Sequence, residues 1–478
     1  MADLPLHYHT ITELAEGLRS GEITSNRLVQ NLLERISLLD GKLNAFRLTC
    51  PEKALEQTRA ADRSRNDGKT AGILSGIPYA VKDLFDVQGL PTTAGARLLE
   101  NNIAAADSQA VARLCQAGMI LSGKTNTVQF AFSGVGINHD HGTPHNPWSR
   151  IHHIPGGSSS GSAVAVAAGL VPMALGTDTG GSVRVPASLC GTVGLKTTVG
   201  RISRVGVYPL SWTLDSVGIF TRSVEDAALV YQNLQGPDVN DEITLGIAFQ
   251  DALKKLKEGV KGLRLVFAES VFWEDLDPEV ATAVRECGQI FKGLGAEVVS
   301  IDFTEARAAR DLNPGGVIIA SEGYSLNQKW IEEHFDELDP VVAQRMIKGR
   351  DVTLDKYLQT SYLARQLRAK VGNALKDVDA LLVPATPVPA RPVAEIDTDM
   401  DSYLAQNIRY LRNTSIGNIL NFCGLSVPCG FTSSGLPIGL LIYGKPFSEA
   451  LVLRAGYAFQ QVTDWHRREP DLSWAVNY

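Results

Sequence analysis

Cysteine is scarce in this chain: there are six in 478 residues, and no two form a CxxC pair. That excludes a disulfide scaffold, and a reducing compartment is the simplest setting for such thiols. Positive charge is also in short supply, with 45 Lys and Arg against 52 Asp and Glu. The resulting balance of −7 argues against a general nucleic-acid or membrane-surface binder. The first ten residues, MADLPLHYHT, lack the basic start and apolar run of a secretory signal, so the expectation is a cytoplasmic protein. No internal repeat and no low-complexity linker interrupts the chain. Its 44% hydrophobic content is enough to bury a core, which excludes a disordered protein.

One absence is local. No Asp, Glu, Lys or Arg occurs between Arg150 and Asp178, a gap long enough to cross a bilayer. Its first half, however, is His, Pro, Gly and Ser, and Pro172 interrupts the apolar second half. A buried helix and strand in a soluble core fit these residues better than a membrane span.

The periodicities that are present predict an α/β fold. Thr10 and Glu13 form a candidate capping box at the start of a short helix. A second helix is predicted from the stripe Leu28, Val29, Leu32, Leu33, Ile36 and Leu39. The segment 73–87 is β-rich with Lys82 at its centre; residues 108–118 read as a helix and Met119 to Ser122 as a strand. Further strands are expected at 171–176, 263–268, 296–301 and 379–384. Asp277 and Pro278 mark a helix start. Residues 304–375 are the most helix-rich and charged stretch, and read as an insertion covering one face of the core.

Chemistry concentrates in two segments, Pro155-Gly-Gly-Ser-Ser-Ser-Gly-Ser162 and Gly176-Thr-Asp-Thr-Gly-Gly-Ser-Val-Arg184. Residues 134–218 hold 15 of the 44 glycines, a local excess over the ordinary ~7%. A helix of about 11 residues between the two segments carries the chain ~16 Å one way. A strand of about five residues returns it by about 17 Å. The two serine clusters are thereby predicted to meet at one end of the unit, where α/β sheets commonly build sites. Gly180-Gly181-Ser182 can present backbone N–H groups to an oxyanion beside the Ser182 hydroxyl. A serine nucleophile needs a base: either a histidine of the group His139, His141, His145, His152 and His153, or a lysine whose pKa burial has lowered. Other readings fit less well. Gly157-Ser-Ser-Ser-Gly161 satisfies G-x-S-x-G and would make Ser159 the nucleophile, but no good strand precedes it. A phosphate loop fails because Ser162-Ala163 stands where Lys-Ser/Thr belongs. The spacing His139-x-His141 with His145 suits a metal, yet turn residues surround it.

Several ordered motifs resemble the amidase signature family. The likeness is dense from Gly76-Ile-Pro-Tyr-Ala-Val-Lys-Asp83 to Thr221-Arg-Ser-Val-Glu-Asp-Ala-Ala228. It passes through Gly123-Lys-Thr-Asn126, Asn146-Pro-Trp148, both serine segments and Cys190-Gly-Thr-Val-Gly-Leu-Lys196, and returns weakly at Leu381-Leu-Val-Pro384 and Gly435-Leu-Pro-Ile-Gly439. The resemblance implies an amidase fold with a central mixed β-sheet covered on both faces by helices. It implies one domain over 1–478, a signature core at about 72–230, and an insertion at about 304–375 that shapes the substrate pocket. The implied activity is hydrolysis of a carboxamide C–N bond through an acyl-enzyme. Ser182 falls on the family's nucleophile, Ser158 on its bridging cis-serine and Lys82 on its base. The N–H groups of Thr179, Gly180, Gly181 and Ser182 fall on the oxyanion hole, Asp178 and Arg184 on bracing positions, and Ala131 and Phe132 on the acyl pocket. No metal and no cofactor is implied. The expected partner is a small-molecule amide, with no nucleic acid and no membrane, and with room for a homodimer. Two alternative activities stay open: the glutaminase subunit of a tRNA-dependent amidotransferase, with its partner subunits, or hydrolysis of urea-like or carbamate substrates. Three departures loosen any subfamily assignment. They are Ser160 where Gly is frequent, Thr197 where Pro is usual, and Gln129 where Glu is frequent.

Overall fold

The structure, a computed structural model, describes residues 5–67 and 72–476. Among them, eleven strands form one mixed sheet. In chain order these are β1 (Phe46–Thr49), β2 (Pro78–Lys82), β3 (Ile120–Thr125), β4 (Met173–Asp178), β5 (Val193–Lys196), β6 (Ser216–Thr221), β7 (Arg264–Ala268), β8 (Glu297–Ile301), β9 (Ala380–Pro384), β10 (Cys423–Phe431) and β11 (Pro437–Gly444). Across the sheet they run β1-β3-β2-β4-β6-β5-β10-β11-β9-β7-β8. Pairing is parallel at β3-β2-β4 and at β9-β7-β8, and antiparallel elsewhere.

The helices are α1 (Ile11–Ser20), α2 (Ser25–Leu43), α3 (Pro51–Asn66), α4 (Gln109–Gln116), α5 (Ser160–Ala167), α6 (Arg184–Cys190), α7 (Val224–Leu234) and α8 (Pro278–Gly293). They continue with α9 (Thr304–Leu312), α10 (Val317–Glu333), α11 (Pro340–Ile347), α12 (Leu354–Ala374), α13 (Val393–Ile396), α14 (Met400–Ile419) and α15 (Glu449–Gln460). Caps follow the local sequence. Thr10 Oγ1 accepts the Glu13 N–H at 3.1 Å while the Glu13 carboxylate accepts the Thr10 N–H at 2.7 Å. Asp277 caps α8 with Pro278 in its first turn.

Strand residues alternate between two cores, as the two-residue period requires. Tyr79 and Val81 of β2, Leu175 of β4 and Ile219 of β6 share one cluster with α1, α4, α7, α8 and α15. Ala80, Ala174 and Phe220 face the other way, onto α5 and α6. Farther along the sheet, Leu381, Val383, Leu441 and Tyr443 meet α9, α12 and α14. Helices therefore cover both faces, as the α/β reading expects.

Two local expectations change. The β-rich run 73–87 keeps only β2 as strand, because the N–H groups of Leu84 and Phe85 both turn back onto the Lys82 carbonyl, at 2.7 and 3.0 Å. Lys82 therefore ends the strand instead of centring it. The unit between the serine clusters is an eight-residue helix and a six-residue strand, with α5 shorter than expected. The charge-free segment is that unit, wholly buried from Ile154 to Asp178. Among the described residues no helix is long and apolar enough to cross a membrane.

Candidate active site

The fold brings the two serine clusters together. The Ser159 N–H donates to the Ser182 carbonyl at 3.2 Å. Ser159 also clasps Thr177 with its hydroxyl, which donates to the Thr177 carbonyl at 3.2 Å and accepts the Thr177 N–H at 3.3 Å. Such a hydroxyl is fully employed in holding the loop, which removes Ser159 as a nucleophile. The Gly157–Ser158 peptide bond is cis. At Gly157 a Cβ would stand 2.7 Å from Gly136 Cα, so only glycine lets these two backbones cross beside Ser158.

Lys82 shares the Ala80 face of β2, the side on which α5 packs. Its Nζ lies 2.7 Å from Ser158 Oγ and 2.9 Å from Thr177 Oγ1, and the side chain is fully buried. Among the described residues no carboxylate ion-pairs with it. Burial lowers its pKa from the ordinary 10.5 to about 7, against a weaker upward pull from Asp215 and Asp178. Ser182, 5% exposed, makes no side-chain hydrogen bond among the described residues. Among the described residues no hydrogen bond joins the Ser182 hydroxyl to that of Ser158.

The backbone from 179 to 183 divides sharply. The Val183 N–H donates to Asp178 Oδ2 at 3.1 Å. The N–H groups of Thr179, Gly180, Gly181 and Ser182 make no hydrogen bond among the described residues. Four consecutive backbone donors of the loop are thereby left without a partner among the described residues. Gly181 adopts φ +143°, and a Cβ there would come within 2.1 Å of Thr414 Oγ1. Thr414, on α14, donates to the Gly180 carbonyl at 2.8 Å and so fixes the loop from outside.

Asp178 and Arg184 brace this loop from a wholly buried position. Arg184 Nε and Nη2 donate to the two Asp178 oxygens at 3.0 and 2.8 Å. The guanidinium also donates to the Tyr443 hydroxyl at 2.7 Å, Asn418 Oδ1 at 2.6 Å and the Thr414 carbonyl at 2.9 Å. Burial opposes the Asp178 charge, yet the Arg184 guanidinium outweighs it and holds the carboxyl well below the usual range.

Sequence reasoning missed several contributors. Asp215, just ahead of β6, accepts the Thr179 hydroxyl at 2.5 Å and the Leu210 and Ser211 N–H groups at 2.9 Å. A cavity of about 250 Å³ opens beside it, lined in part by Thr177, Arg204, Trp212 and Asp241. The one available signal was its place within the dense motif run. Thr414, Asn418 and Tyr443 had none, since each lies more than 200 residues from its partner Arg184.

Ala131 and Phe132 are largely buried in a cluster shared with α10 and α11. Phe130 and Ala131 turn the chain at φ 50° and 59°. Arg345 of α11 donates to the Phe132 carbonyl and stacks 4.2 Å from its ring centroid. A Cβ at Gly180 would meet Ile319 of α10 at 3.8 Å. The histidines go elsewhere. His139 binds Asp339 at 2.7 Å and Asp397 at 2.9 Å, His145 meets the Ser149 and Ile151 carbonyls, and His152 stacks on His145. None reaches Ser158 or Ser182. Among the described residues no group of three or more His, Cys, Asp or Glu is arranged to hold a metal ion.

The Amidase family profile matches residues 27–453. The chain belongs to the Amidase family. It is 38% identical to the A component of the glutamyl-tRNA(Gln) amidotransferase of Geobacter sp. strain M21, over 97% of this chain and 99% of the relative. It is 36% identical to the 2-amino-5-chloromuconic acid deaminase of Comamonas testosteroni, over 93% and 94%. The solved structure of 6-aminohexanoate cyclic dimer hydrolase superimposes with a TM-score of 0.89 at 28% identity, covering 98% of this chain and all of that one. Membership and these relatives place the chain among enzymes that act on carbon–nitrogen bonds.

Proposed function

We propose that the chain hydrolyses a carboxamide C–N bond through an acyl-enzyme on Ser182. The observation that carries this reading is Lys82: fully buried, 2.7 Å from Ser158 Oγ, and with a pKa brought to about 7. In this reaction Ser182 Oγ attacks the amide carbon as its proton passes to Ser158, whose own proton passes to neutral Lys82. The carbonyl oxygen, now anionic, settles on the N–H groups of Thr179, Gly180, Gly181 and Ser182. The C–N bond breaks as the relay returns the proton to the departing nitrogen. Water then repeats the sequence at the ester and releases the acid. Asp178 and Arg184 hold the loop and take no proton.

Substrate selection falls to Ala131 and Phe132 together with the helices of 304–375. Arg345 is the informative neighbour: it lies against Phe132, and no carboxylate ion-pairs with it among the described residues. Its unused donors suit a substrate bearing a carboxylate away from the scissile amide.

The similarity to the amidotransferase component favours a second reading, in which the amide is glutamine and the ammonia passes to a partner. One experiment tests both. The purified chain is assayed by mass spectrometry against glutamine, aliphatic and aryl amides, a urea-type amide and a carbamate, and its co-purifying proteins are identified. Hydrolysis by the chain alone that disappears in Ser182→Ala supports the stand-alone enzyme. Activity toward glutamine that appears only with bound partner proteins supports the amidotransferase reading. Full activity in Ser182→Ala removes the acyl-enzyme reading in either form.

A further inference from the structure

A second polar cavity lies at the other end of the sheet. β6 begins at Ser216, opposite Asp178 beside the serine loop, and ends at Thr221, opposite Met173. At strand rise that is about 17 Å away. Arg222 follows immediately and lines a cavity of about 220 Å³, shared with Tyr8, Thr12, Gln460, His466 and Arg467.

Arg222 is only 9% exposed, with its guanidinium stacked 4.3 Å above the Tyr8 ring. Among the described residues it makes neither a hydrogen bond nor an ion pair. Its Nη1 is shut off from solvent without a partner, and so are Thr12 Oγ1, Gln460 Nε2 and His466 Nδ1, all from residues lining the same cavity. Four unsatisfied polar atoms around one cavity are far from the rule for buried groups, and a buried cation without a counter-charge is the costliest of them.

The surrounding carboxyls are engaged elsewhere. Asp226 accepts the Ile11 and Thr12 N–H groups at 3.0 and 3.4 Å, and burial pushes it up to about 7. Glu13 closes the α1 capping box, and Glu225 pairs with Lys257 at 2.7 Å. Glu13 and Glu225 themselves line the cavity, and Glu469, Asp226 and Glu13 act on Arg222 only beyond ion-pair distance. Burial holds His466 neutral, with a pKa near 4, so either ring nitrogen can carry its single proton.

We propose that this cavity is an anion site that takes a small oxyanion, the phosphate or carboxylate group of a metabolite, on the Arg222 guanidinium. The planar fork of an arginine matches both groups. The volume is below that of a drug-sized pocket and suits a small ligand.

Calorimetric titration of the full chain with inorganic phosphate, and separately with succinate, tests this. Saturable one-site binding of either anion, accompanied by a rise in Tm, is expected, and the tighter arm identifies the group. Gln460→Glu is the decisive variant. Gln460 Oε1 accepts the Val224 N–H at 2.7 Å, a bond that a carboxylate keeps, while the second oxygen supplies an internal anion to the cavity. Affinity should fall at least tenfold, the Tm without ligand should hold or rise, and amide hydrolysis should be unchanged. Arg222→Gln should also abolish binding; if it does not fold, Gln460→Glu decides alone. No saturable binding of either anion to the wild-type chain would overturn the proposal. So would an affinity left intact in Gln460→Glu.

Discussion

Lys82 shows how burial changes the chemistry of a single side chain. Placed at the end of an interior strand with two hydroxyls for company, it loses the solvation an ammonium needs. The difference between its two protonation states is on the order of 5 kcal/mol. Asp178 is equally buried and keeps its charge, because the Arg184 fork meets both of its oxygens. The contrast is one of partners, not of depth. Since the proposed reaction needs neutral Lys82, kcat/KM should rise about tenfold per pH unit below a midpoint near 7 and level off above it. A pH–rate profile flat between 5.5 and 9 would remove Lys82 as the base. Gln129 shows a comparable dependence on partners. Its amide donates to Asp140 at 2.8 Å and its carbonyl accepts the Asp339 N–H at 3.0 Å. A glutamate there would set like charges together, so this departure from the family pattern is matched by its neighbours.

At the scale of elements, the loop between β4 and α6 is held by structure on three sides. Asp178 ties its far end to the Val183 N–H, Asp215 holds the Thr179 hydroxyl, and Thr414 of α14 holds the Gly180 carbonyl. Among the described residues the N–H groups of Thr179, Gly180, Gly181 and Ser182 make no hydrogen bond. Gly181→Ala tests this arrangement. The added methyl would meet Thr414 Oγ1, and its φ disfavours any side chain. Displacing these donors by a fraction of an ångström should lower kcat by about 10²-fold or more, while circular dichroism shows the fold retained. Activity within threefold of wild type would mean that the loop is not the oxyanion site.

Across the whole molecule, His139 joins segments some 200 residues and more apart. One ring nitrogen meets Asp339, the N-cap of α11, and the other meets Asp397, just after α13. The hydrogen bond to Asp339 leads in raising its pKa from 6.5 to about 9, against the cost of burial. The unfolded imidazole releases its proton near 6.5 and the folded one near 9. The stability gained from this clamp is therefore complete below about 6.5 and lost as pH rises through 9. With a third of the ring exposed, solvent screens the effect and keeps it modest. Urea unfolding should show wild type more stable than His139→Gln at pH 6, with the gap narrowing by pH 9.5. A gap independent of pH would mean that the contact is only steric.

The sequence by itself determined what acts over short spans. The Thr10 and Asp277 caps, the amphipathic helices, the charge-free helix–strand unit and the return of one serine cluster to the other all depend on spacing along a helix or strand. Lys82, Ser158 and Ser182 were legible as a set only through the family's motif order. Composition and periodicity left the base open between histidine and lysine. Tertiary structure decided the rest: that the histidines bind aspartates and carbonyls, that Lys82 is stripped of water and of any paired carboxylate, and that Thr414, Asn418 and Tyr443 brace a loop more than 200 residues away. The reason is physical. Propensity and periodicity are properties of neighbours in the chain, whereas desolvation and charge pairing depend on which distant segments a folded sheet sets side by side.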